Sequence, residues 1–126
     1  MADKTGHALR GPMQVLKALR WSWQGLCAAW WNESAFRLEV CLFAILTPLA
    51  LWLGHDAVER ILLIGPMLMV LSAELLNSAI EAVIDRYGNE FHEMAGRAKD
   101  MGSAATFVLM GLVALCWGLI LVPRLM

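Results

Sequence analysis

The sequence predicts an all-α membrane protein in a single domain: an N-terminal amphipathic surface helix followed by three transmembrane helices. Three observations carry this expectation. The chain of 126 residues is 60% hydrophobic, whereas soluble domains are roughly 45–50% apolar. The apolar residues are gathered into blocks, the pattern of a chain whose solvent is a bilayer. The basic residues are placed unevenly around those blocks, as they are when a membrane sets the orientation of its spans.

Residues 8–31 are expected to form the surface helix. Leu16, Leu19, Trp23, Leu26 and Trp30 recur at three- and four-residue spacing on one face, and Arg10, Gln14, Lys17 and Gln24 lie on another. A basic helix carrying tryptophans suits a membrane surface better than a span. The alternative is an ordinary helix packed on its own protein. A polar break at 32–34 follows, where Glu33 and Arg37 stand four apart and are placed to pair.

The first span is expected at 36–53, with Arg37 snorkelling to the headgroups. A short polar turn at 54–60 leads to the second span, 61–84, in which Pro66 is read as falling early, where a helix tolerates proline best. Residues 85–100 read as a polar loop. The third span, 101–122, carries no charge and is expected to end at Pro123. Its Gly111 and Gly118 are seven apart and fall on one face, a pattern that permits close helix contact.

Orientation follows from Lys/Arg placement. Lys4, Arg10, Lys17, Arg20 and Arg37 precede or open the first span, and Arg86, Arg97 and Lys99 lie in the second loop. The opposite side holds only Arg60 and Arg124. The N-terminus and second loop are therefore expected on the cytoplasmic side. Residues 1–7 are polar and precede no apolar stretch with a cleavage site, so no cleavable signal peptide is expected. The net charge of −1 gives no basis for a nucleic-acid partner. Cys27, Cys41 and Cys116 have no metal-like or CxxC spacing and read as free thiols.

The second span carries the chemistry. In ELLNSAIEAVID at 74–85, Glu74, Asn77, Ser78, Glu81 and Asp85 all fall on one helix face. An ionised side chain near a bilayer centre costs about 2.5–3.5 kcal/mol on insertion scales. An interhelical polar clamp would need only Asn77 and Ser78, so the two glutamates point to function. Glu74 and Glu81 are about 10 Å apart along the axis, too far to share one ion, which suits two tasks at two depths. Glu81 lies nearer the cytoplasmic end, where Mg²⁺ and a nucleotide arrive, and Glu33 comes to the same rim. Glu74 lies deeper, within reach of a lipid hydroxyl. Lys99, near Arg97 and beside Asp100, is placed to hold phosphate oxygens, although a positive-inside flank is by itself the commoner explanation for a lysine there. The phosphate loop, the dinucleotide fingerprint and the motifs of soluble protein kinases are absent.

The run ELLNSAIEAVID, GRAKDMGSAA at 96–105 and AAWWNESAFR at 28–37 together resemble the prokaryotic integral-membrane diacylglycerol kinase family over nearly the whole chain. The resemblance implies a homotrimer in the bacterial inner membrane, with active sites between subunits at the cytoplasmic interface, that uses Mg·ATP to convert diacylglycerol to phosphatidic acid. It implies Glu74 as the catalytic base and Glu33 and Glu81 as ligands of the ATP-bound metal. Gln14, Trp21, Glu33, Glu81, Glu90, Phe91, His92, Lys99 and Asp100 match the nucleotide contacts. Trp30, Glu39, Glu74 and Ser103 match the lipid site, and Asn77 and Asp85 match supporting positions. Gln14 stands where better-known members carry arginine, and Trp21 where tyrosine is more familiar. Some homologues phosphorylate undecaprenol instead. Outside the family, the rivals are a small transporter using Glu74 for proton coupling and a structural subunit without activity.

Overall fold

The computed structural model describes residues 11–87 and 93–126, which form four helices. α1 spans Pro12–Asn32, α2 Ser34–Leu53, α3 Ala57–Arg86 and α4 Glu93–Leu125. The last three are long and apolar enough to cross a membrane. The 20 residues of α2 rise about 30 Å, the thickness of a hydrocarbon core.

α1 starts with Pro12 in its first turn, where the missing N–H costs nothing. It ends at Glu33, whose extended backbone (φ −121°, ψ 107°) closes α1 and opens α2 within one residue. Arg37 does not pair with Glu33. Its guanidinium reaches back to the carbonyl of Trp30, 3.3 Å away, and so occupies one of the carbonyls that the end of α1 leaves without an intrahelical partner.

α3 is the organising element. It packs most extensively on α4, less on α2 and least on α1. Its Leu63, Met67, Val70 and Ala73 are buried, with Phe36 and Ala50 of α2 and Ala29 of α1 completing the core. Asp56 caps its start by accepting from the Glu59 N–H at 2.8 Å. The helix is longer than the expected 61–84, so Pro66 lies further inside it than expected. Pro66 removes the N–H that would bond Leu62. The carbonyl of Leu63 accepts from Trp117 Nε1 of α4 at 3.0 Å. Pro48 is likewise interior to α2. Membrane helices tolerate interior prolines where neighbours re-satisfy the backbone.

α4 differs most from expectation. It begins at Glu93, so residues 93–100 are helix and not loop, and it runs past Pro123 to Leu125. Added Cβ atoms at Gly111 and Gly118 would meet nothing, so these glycines make no close helix contact within the chain. The close approach is at Gly102, which faces Asn77 of α3.

The end of the bundle away from Glu74 and Glu81 is tied by two arginines. Arg124 Nη1 donates to the Leu53 carbonyl at 2.8 Å, and its Nη2 pairs with both carboxylate oxygens of Glu59. Arg60 Nε donates to the Leu51 carbonyl at 3.1 Å. Both carbonyls belong to the last turn of α2, which has no later residues to bond.

Candidate active site

Glu74 projects from the middle of α3 and is only 8% exposed. With Thr106 it is one of two buried polar side chains among the described residues. A lone buried carboxyl is costly, and the fold places others around it. Glu39 of α2 lies beside Glu74. Glu33, at the α1–α2 bend, and Glu81, two turns along α3, are close enough for their charges to act on Glu74. α2, α3 and the bend between α1 and α2 thus deliver four carboxyl groups to one region.

The sequence explains this placement. Glu74 and Glu81 share a face because seven residues make nearly two turns. Glu33 is held at the bend by its own backbone: its N–H bonds the Ala29 carbonyl at 2.9 Å, and its carbonyl accepts from Arg37 N at 3.2 Å. Its side chain makes no capping hydrogen bond to α2.

Glu81 accepts from Asn77 Nδ2 at 3.4 Å. Beyond it, at the end of α3, Asp85 pairs with Lys99 Nζ of α4 at 3.0 Å. The phosphate-holding lysine anticipated from sequence is therefore engaged by a carboxylate, and it sits on a helix rather than a loop.

Two grooves reach the carboxyl cluster. One, of about 190 Å³, runs between α2, α3 and α4 and is lined by Glu39, Leu42, Phe43, Leu46, Met67, Val70, Leu71, Met110 and Val113. Its lining is apolar apart from Glu39, whose Oε2 is buried without a hydrogen-bond partner. The second separates α1 from α3. Gly25, Ala28 and Ala29 face Ser78, Ala79 and Ala82 across it, and Glu33 stands at its edge.

The remaining residues singled out from sequence are not gathered into this cluster. Gln14, Trp21 and Trp30 are exposed on α1, and Asp100 and Ser103 are exposed on α4, all outside both grooves. Glu90, Phe91 and His92 lie outside the described residues. Sequence reasoning missed Gly102 as the partner of Asn77. The signal was the run of small residues at 102–105, but nothing in the sequence says which glycine of α4 meets α3.

Among the described residues no group of three His, Cys, Asp or Glu side chains converges to hold a metal ion. Glu33 and Glu81, both half-buried, offer two carboxylates. A two-carboxylate donor set fits Mg²⁺, which commonly takes one or two protein carboxylates and fills its other positions with phosphate oxygens and water.

Comparison with known proteins identifies the family. The family model described as prokaryotic diacylglycerol kinase matches residues 20–121. A diacylglycerol kinase of Escherichia coli K12 is 48% identical over 111 residues, covering 88% of this chain and 91% of its own. One from Haemophilus influenzae is also 48% identical over 111 residues, covering 88% and 94%. A third, from Pseudomonas aeruginosa, is 44% identical, covering 88% and 90%. The match takes in α2, α3, nearly all of α4 and every described carboxyl group of the cluster, and the chain belongs to the prokaryotic diacylglycerol kinase family.

Proposed function

We propose that this chain is a membrane kinase that transfers the γ-phosphoryl group of ATP to the free hydroxyl of diacylglycerol, giving phosphatidic acid, at the cytoplasmic face of the bacterial inner membrane. The observation that carries this reading is the buried Glu74 carboxyl, set beside Glu39 where an apolar groove meets the polar face of α3. A lipid lying in that groove keeps its chains among Leu42, Leu46 and Met110 while its hydroxyl reaches the carboxyl pair.

Glu74 is the general base. As the hydroxyl oxygen forms its bond to the γ-phosphorus, its proton passes to the Glu74 carboxylate and the bond to the ADP oxygen breaks. Phosphoryl transfer asks chiefly for in-line positioning and charge neutralisation. Glu39 orients the Glu74 carboxyl through the contact between them. Glu33 and Glu81 would hold Mg²⁺ carried in with ATP; when bound, the ion neutralises charge on the phosphate oxygens. Asn77 fixes Glu81. Lys99 exchanges Asp85 for a phosphate oxygen.

The chain acts as a homotrimer with its N-terminus in the cytoplasm. Two features support this. Gln14, Trp21, Asp100 and Ser103 stand apart from the carboxyl cluster of their own chain, so a neighbouring subunit is needed to complete the site. The Lys/Arg bias favours a cytoplasmic position for α1 and the start of α4.

The test is ATP-dependent phosphorylation in mixed micelles, with diacylglycerol and undecaprenol offered side by side. Phosphatidic acid formed with Mg²⁺, and lost in Glu74→Gln, is the expected result. Preference for undecaprenol would replace the acceptor and keep the chemistry. Phosphorylation of neither by folded protein would overturn the reading.

A further inference from the structure

Gly102 lies in the first third of α4 and is buried against α3. A Cβ placed on it would collide with the Asn77 side-chain oxygen, and it would also press on Asn77 Cγ at 3.2 Å. The absence of a side chain at 102 is therefore what allows Asn77 its conformation. That conformation has a consequence one turn away, because Asn77 Nδ2 donates to Glu81 Oε1 at 3.4 Å. The amide cannot turn over and keep this contact. A carboxylate only accepts, so the NH₂ must face Glu81 and the oxygen must face Gly102. The Asn77 oxygen is in fact buried with no hydrogen-bond partner. It sits in the space that a side chain at 102 would fill. Gly102 itself is held in place, since its carbonyl accepts from the buried Thr106 hydroxyl at 3.5 Å.

We propose that Gly102 is a positioning residue for the metal-binding carboxylate: by leaving room for the Asn77 amide it aims that amide at Glu81 and fixes the Glu81 oxygens for the ion. The proposal rests on the reading of Glu81 as a metal ligand. It gives α4 a role at the site through its backbone. Side-chain contacts of this kind behind a metal ligand are typically worth at least about tenfold in metal affinity.

The experiment measures Mn²⁺ binding by electron paramagnetic resonance, on the full chain in detergent micelles with an unhydrolysable ATP analogue present. The variants are Gly102→Ala, Asn77→Ala, the double variant and Glu81→Gln. If Gly102 acts through Asn77, each single variant weakens Mn²⁺ binding by about tenfold and the double variant is no weaker than either, because both remove the same contact. In turnover, the Mg²⁺ requirement should rise while KM for diacylglycerol stays put. Losses that multiply in the double variant would show that Gly102→Ala acts by pushing α4 away from α3, and would overturn the proposal. So would wild-type affinity in either single variant while Glu81→Gln binds poorly. Unchanged Mn²⁺ affinity in Glu81→Gln would instead remove Glu81 from the metal site and the proposal with it. Should Gly102→Ala fail to fold, the double variant restores the missing space. Its comparison with Asn77→Ala alone then decides: equal affinities are expected, and a further loss overturns the proposal.

Discussion

Trp117→Phe isolates one hydrogen bond in the apolar half of the bundle. Trp117 Nε1 donates to the carbonyl of Leu63 at 3.0 Å, and Leu63 is wholly inaccessible. Phenylalanine keeps an aromatic ring against α3 but has no N–H. The Leu63 carbonyl then loses that donor three residues before Pro66, in a turn already short of a backbone donor. A net hydrogen bond in water is worth about 0.5–1.5 kcal/mol. Side-chain bonds between membrane helices average about 0.6 and reach about 1.7 kcal/mol. The site is buried and beside a helix defect, so the upper half of that range applies, and a loss of about 1 to 1.5 kcal/mol is expected. That is about five- to twelvefold in the unfolding equilibrium. The assay is SDS-induced unfolding in mixed micelles, followed by the fluorescence of the remaining tryptophans, with turnover per folded molecule measured alongside. Stability should fall and turnover should not, because the contact lies away from the carboxyl cluster. An unchanged midpoint would refute the assignment of a stabilising role to this bond. A loss near the roughly 3–5 kcal/mol of removing a whole aromatic side chain would refute it differently, showing that ring packing carries the contact.

Glu74→Gln should abolish turnover while binding of an unhydrolysable ATP analogue persists; wild-type kcat would end the base assignment. Glu39→Gln should lower kcat by more than it changes the Mg²⁺ requirement, since Glu39 touches Glu74, and a shift only in the Mg²⁺ titration would contradict this. Asp85→Asn should change stability by no more than about 0.5 kcal/mol, because the Asp85–Lys99 pair is largely exposed, whereas Lys99→Met should raise KM for ATP; a large stability loss in Asp85→Asn would show the pair to be structural. Arg124→Ala should lower the thermal midpoint further than Arg124→Lys, because lysine can keep one of the two partners but not the fork that serves both, and equal losses would refute the clamp at that end.

The spans were legible because a long apolar run has few stable solutions: in a bilayer every backbone group must bond within the helix. Helix ends were less so. Hydropathy stops at the headgroups while the helix need not, and residues 93–100 continue α4 although they carry Glu93, Arg97, Lys99 and Asp100. The missed signal was propensity, since Glu, Met, Ala, Arg and Lys are all good helix formers. The prolines misled for a related reason. Pro66 and Pro123 were weighed by the rule for water-exposed helices, whereas both lie inside continuous helices here.

The candidate site divides along the same line. Residues on one helix are related by fixed geometry, so Glu74, Asn77, Glu81 and Asp85 could be set on one face from spacing alone. Residues on different helices are related only by packing. Glu39 entered the sequence reading through family resemblance, and its place beside Glu74 depends on how α2 packs against α3. The choice of Gly102 over Gly111 or Gly118 depends on how α4 is rotated about its axis, which hydropathy leaves free in a helix apolar all round. What fixes that rotation is a set of contacts spread along the bundle: Gly102 on Asn77, Trp117 on Leu63, and Arg124 on Leu53 and Glu59. All three lie on one side of α4, at 102, 117 and 124, offsets of 15 and 7 residues that fall close to whole turns. The outer clamp and the inner glycine contact therefore specify a single rotation, and a change at either end is resisted by the other. Such redundancy allows a polar site to be assembled from helices whose remaining surfaces are interchangeable hydrocarbon.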